Sequence, residues 1–140
     1  MEMQVRLERT GDSVDGKAMV ATGIDTSPLV GVWVNSNPDS NGIARLLKSE
    51  SGGNLSLQVQ GIGPTGLIDW GVADVSVFTS SPSSNLGTGF ACRYDFGFVE
   101  TRLLGMILKG LLVLAELHHF KDDSGRVDYF VREYFALDHD

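Results

Sequence analysis

Cysteine is almost missing from this chain. Cys92 stands alone, so no internal disulfide can form, and a reducing, cytoplasmic setting is expected. Positive charge is scarce as well: 11 Lys and Arg are set against 18 Asp and Glu, a formal charge of -7. Affinity for nucleic acid rests chiefly on neutralising phosphates with Lys and Arg, so this balance argues against a nucleic-acid partner. The acidic excess is spread along the chain apart from the terminal "DHD" and reads as a solubility feature. Long apolar runs are absent. The longest, "GLLVLA" at 110–115, is far too short to cross a bilayer, and the opening "MEMQVRLERTGDS" has no apolar stretch of the signal-peptide kind. Paired-cysteine metal spacing, His-Glu-x-x-His, Gly-x-Ser-x-Gly and a phosphate-binding glycine loop are all lacking, so no metal or other cofactor is expected. "GIGPTG" at 61–66 has the glycines of such a loop, but Pro64 removes an amide and no helix follows, so it reads as a turn.

What the chain does have is punctuation. Its 140 residues, enough for one domain, carry 17 glycines and many Ser, Asn and Asp that cut it into short apolar pieces. Strands are expected near 30–35, 42–49, 54–61, 68–78, 86–96, 98–107, 111–120 and 126–136, joined by turn-type segments such as "SNPDSNG", "SGG" and "KDDSG". No connection is long enough for a crossover helix, so successive strands should pair antiparallel. The alternation is clearest in "NLSLQVQG", where Leu55, Leu57 and Val59 oppose Ser56, Gln58 and Gln60, and in "LGTGFACRYDF", where Phe90, Cys92, Tyr94 and Phe96 share a face. A helix over "VETRLLGMILKGLLVLAELHHF" is the main rival, since Leu, Met, Glu and Lys favour helix. Gly105, Gly110 and the β-rich "RVDYFVREYF" that follows "DDSG" stand against it. The fold class expected is therefore all-β: an eight-stranded antiparallel up-and-down barrel over 29–140, with residues 1–28 as an N-terminal arm or extra hairpin.

"GVWVN" places Gly31, Trp33 and Asn35 on one face of the first strand: a small residue, the largest apolar one and a polar amide. With the "SPLVG" approach before it and the meander after it, this stretch resembles the calycin superfamily of lipocalins, fatty-acid-binding proteins and avidin-like barrels. The resemblance implies that Trp33 is a structural plug at the closed end and that Asn35 is a polar contact in the lumen. "VREYF" is similar to the Arg-x-Tyr with which fatty-acid-binding proteins hold a carboxylate, which would make Arg132 and Tyr134 polar tips. The second lipocalin signature and the biotin-binding set of an avidin are missing.

The remaining chemistry centres on a few side chains. His118 and His119 are adjacent, so in a strand they point to opposite faces and cannot easily share a metal. Glu116 and His118, two apart, share a face; if it is the lumen, they form a catalytic acid/base candidate, and if not, an ordinary surface pair. Cys92 reads as a small buried hydrophobe rather than a nucleophile, because nothing basic is evident beside it. Trp70, in "IDWG", is left as a second plug, a lumen wall or an interface residue. Three functions stay open. The first is binding of a small, mostly apolar molecule by Leu57, Val59, Phe90, Tyr94 and Phe96, with Asn35, Arg132 and Tyr134 as polar contacts. The second is a cofactor-free isomerase or cyclase in the same lumen, and the third is a self-filled barrel serving as an association module. Apolar residues on both faces of 98–107 and 111–120 point to a possible homodimer.

Overall fold

The computed structural model describes residues 23–139. The expected arm at 1–28 therefore falls mostly outside the described residues. Its last part enters as a short 3-10 turn, Ser27–Leu29, whose Leu29 is completely buried. Nine strands follow: β1 Gly31–Asn35, β2 Ile43–Ser51, β3 Asn54–Gly63, β4 Gly66–Asp74, β5 Ser76–Thr79, β6 Gly87–Asp95, β7 Val99–Leu108, β8 Leu111–Phe120 and β9 Tyr129–Asp138. All pairings are antiparallel, in the order β4-β3-β2-β1-β9-β8-β7-β6-β5, and the sheet curls on itself around one core.

The strand expected at 68–78 is divided. Its first half, β4, pairs with β3 and its second half, β5, pairs with β6, with only Val75 between them. The bend begins at a bulge: opposite the single residue Val59, β4 spends two residues, Trp70 and Gly71. Gly71 has φ +92°, which a side chain would strain, and the Asp69 carboxylate holds the kink by accepting from Gly71 N (2.8 Å) and Gln58 Nε2 (3.0 Å). Across the gap between β4 and β6, the Tyr94 hydroxyl donates to the Gly71 carbonyl (2.8 Å), tying the two ends of the strand order together from inside.

Residues 99–120, where helix was the rival, form the β7–β8 hairpin with continuous register from Val99↔Phe120 to Leu108↔Leu111. Its turn is Lys109-Gly110, both at positive φ, as a tight two-residue hairpin requires. Gly105 has a different role: a Cβ there would run into the Phe90 ring, so the glycine admits that ring to the core. Leu103, Leu112 and Leu114 are buried with Phe90, Phe135, Leu46, Leu57 and Val59, whereas Leu104, Met106, Leu108 and Leu111 are exposed on the outer face.

Candidate functional site

The two ends of the curled sheet differ. At one end the Ser27–Leu29 turn lies against β6, and the buried Trp33 indole donates Nε1–H to the Leu29 carbonyl (3.0 Å). At the other end the core gives way to an open cleft of about 560 Å³ walled by Trp70, Phe96, Phe98, Phe120 and Tyr129. Trp70 meets Tyr94 and Phe96 edge-on, with centroids 5.6 and 5.3 Å apart. These contacts are the favourable geometry for aromatic pairs and stiffen that wall.

Beneath the aromatic rim lies the polar floor. Register puts His118 between Thr101 on β7 and Tyr129 on β9. Its Nδ1 is hydrogen-bonded to Thr101 Oγ1 (2.9 Å), and the Tyr129 ring stacks on it at 4.4 Å. Two residues back on the same face, Glu116 is 2% exposed, with Oε1 3.5 Å from His118 Nε2. A second carboxylate comes from β9: Glu133 accepts from Asn35 Nδ2 (2.7 Å) at one oxygen and from Ser40 Oγ (2.8 Å) at the other. Glu116, Glu133, His118, Tyr129 and Trp70 together line a second cleft of about 370 Å³ adjoining the first. Burial pushes the Glu116 carboxyl above its ordinary range; the contact with His118 opposes the rise, and the facing Glu133 carboxylate adds to it. A carboxyl of raised proton affinity beside an imidazole is equipped to exchange a proton with a bound molecule.

A third polar group is inside, nearer the Trp33 end. Lys48 is 3% exposed, its Nζ has no hydrogen-bond partner among the described residues, and it sits 4.1 Å from the Phe90 ring centroid and 5.2 Å from that of Trp33. Burial lowers its pKa to about 7, with the nearby Cys92 opposing. The Cys92 thiol is pushed up to about 12 by burial, with Lys48 opposing, which makes it a poor source of thiolate. Among the described residues no group of three His, Cys, Asp or Glu is placed to hold a metal ion.

The expected site residues divide into groups. Leu57, Val59 and Phe90 face inward but are packed into the core, while Tyr94 and Phe96 stand with Trp70 toward the open end. Asn35 turns toward Glu133 and the Ile43 carbonyl (2.8 Å). Arg132 and Tyr134 lie elsewhere than expected. They alternate with the inward Val131, Glu133 and Phe135 and are exposed on the outer face, Tyr134 at 42%. The physical reason is the burial of Phe135, which fixes the parity of β9. His119 also faces outward, bonded to Asp128 (2.7 Å). Glu133 and Lys48 were not foreseen. The signal for Glu133 was its spacing from Phe135; for Lys48 it was its spacing from Leu46, masked by the equally apolar Leu47.

The chain matches no protein-family model, no curated protein and no solved structure. Among the described residues, no helix is long and apolar enough to cross a membrane.

Proposed function

We propose that this chain binds a small, mostly apolar molecule at the open end of a calycin-like barrel. In this reading β4 and β5 are two halves of one strand bent at Val75, so the nine strands reduce to the eight of an up-and-down barrel. The observation that carries the binding reading is the aromatic rim. Phe98 is 48% exposed, and Phe96 and Tyr129 are exposed beside it, around a cleft with a polar floor. Exposed aromatics gathered around a concavity with a few placed polar groups are the usual form of a ligand site. The deep interior is filled by the chain's own side chains, so the ligand sits at the mouth rather than along the axis. The outer apolar strip of Leu104, Met106, Leu108 and Leu111 is the face through which two copies associate, in a cytoplasmic setting suited to the lone thiol.

One native mass spectrum of protein isolated from its source tests both statements. The expected species is a dimer of the 15.1 kDa chain carrying extra mass that organic solvent removes. A bare chain in every charge state would sink the binding reading, and a monomer would sink the association.

The Glu116–His118 contact supports a second reading, an isomerase or cyclase in the same cleft. A compound released from the protein and incubated with fresh protein is then expected to return as an isomer of equal mass but altered chromatographic retention. Glu116→Gln protein, which has no acidic proton at that position, should return it unchanged. Conversion by that variant at the normal rate would remove Glu116 from the chemistry.

A further inference from the structure

We infer that the cleft beneath the aromatic rim takes the ammonium group of an amphiphilic amine between Glu116 and Glu133, with the ligand's apolar body against Trp70 and Tyr129. This rests on the binding reading above and names the head group of its ligand.

The argument begins with an unmet demand. Glu116 is 2% exposed, yet its Oε2 finds no donor among the described residues. A buried carboxylate oxygen left without a donor is costly, and such atoms are found where a ligand completes the site. Glu133 faces it from the neighbouring strand. Asn35 and Ser40 each occupy one lone pair of its oxygens and leave the others open. The groups around Glu116 are thus His118 on its own strand, already engaged with Thr101, and Glu133 and Tyr129 from β9. No Lys or Arg lines this cleft. Arg126, at the rim, lies over Phe98 and Phe120 and is paired with Asp122 (2.8 Å).

Two carboxylates with no cation between them repel an anionic head group. A neutral alcohol supplies one donor to this cluster, whereas a primary ammonium supplies three N–H groups and a positive charge. Trp70 and Tyr129 line the same cleft and give the ligand's apolar body an aromatic wall. Access is kept open by Gly42: a Cβ there would stand 3.4 Å from Glu133 Oε2 and 3.8 Å from Glu116 Oε1, in the space the nitrogen would take. Burial, and to a lesser degree the facing carboxylate, raise the proton affinity of Glu116. An ammonium between the two carboxylates would oppose that rise by its own charge.

The test is calorimetric titration of the full chain near neutral pH with three probes of one chain length: octylammonium chloride, octanol and sodium octanoate. Octylammonium should bind roughly tenfold or more tighter than octanol, the ratio expected for charge-assisted hydrogen bonds, with octanoate weakest. Glu116→Gln should bring octylammonium down to the octanol level. Gly42→Ala, which leaves both carboxylates in place, should also weaken octylammonium. Octanol as tight as octylammonium, or Glu116→Gln protein that keeps the preference, overturns the head-group assignment and leaves the aromatic mouth standing. If none of the three probes binds, both readings fall.

Discussion

Trp33→Ala protein is expected to lose about 3–5 kcal/mol of stability, the range for large aromatic truncations in a core. Trp33 is 3% exposed, and its removal does three things at once. It deletes a large buried side chain, leaving a cavity beneath the Ser27–Leu29 turn. It strips the Leu29 carbonyl of a side-chain donor, the indole N–H at 3.0 Å, on a residue that is itself completely buried. It also takes away one of the two rings over which Lys48 lies. Trp33→Phe separates these effects, because it keeps most of the ring and loses the N–H. About 1 kcal/mol is expected for that variant, the usual cost of one buried hydrogen bond. Urea unfolding followed by the fluorescence of Trp70 gives both values. For a domain whose total stability lies in the ordinary range of about 5–15 kcal/mol, the alanine variant stands close to the threshold of folding. A midpoint unmoved by Trp33→Ala would mean that the tryptophan plugs nothing.

The inward setting of Trp33 was legible because its signals agree. Turn residues before Gly31, a β-branched Val on each side of Trp33 and a polar Asn35 all fit one strand with one inward face. Strands with clean alternation, such as Asn54–Gly63, were equally legible, and so was the all-β, antiparallel character of the chain. Legibility failed where both faces are apolar or where the count of residues is broken. In β9 the run from Tyr129 to Leu137 has apolar residues on both parities, so nothing local ranks Tyr134 below Phe135. The choice is made across the sheet, where Phe135 stands opposite the inward Leu112. That same choice brings Glu133 to Glu116 and sends Arg132 outward. In β4 the bulge at Trp70 and Gly71 shifts the inward parity, which no alternating pattern can anticipate. The site is built from these ambiguous pieces, so its members were visible one by one while their convergence was not. Open ends of curled sheets are where bulges and mixed faces concentrate, and they are also where ligands enter.

Stability is expected to rise with pH between about 7 and 9, against the habit of most domains, and Lys48 is the cause. In the folded protein burial holds its pKa near 7, whereas in the unfolded chain it returns to 10.5. Between those values the unfolded chain binds a proton that the folded protein has released, so unfolding becomes harder as the pH climbs, by at most about 1.4 kcal/mol per pH unit. Below the lower value Lys48 is charged in both states, and the folded protein bears the full cost of a buried ammonium set against the Phe90 and Trp33 rings. The rise stops near 9. From there Cys92, held at about 12 in the folded protein against 9.0 in the open chain, contributes the opposite slope, and Tyr94, also raised by burial, joins it above 10. Glu116 acts on the acid side: its raised pKa favours the folded state below 4.5, and that contribution is lost as the pH climbs through its folded value. Lys48→Met isolates the term, because the unbranched thioether fills the same channel without charge. The variant should exceed the parent in stability at pH 6 by on the order of 2 kcal/mol, and the margin should shrink steadily toward pH 9. Urea unfolding of both proteins at unit steps of pH reads the difference directly, since every other titrating group is common to the two. Parallel curves would mean that water reaches Nζ through the gap between β4 and β6, and that Lys48 is solvated in the folded state.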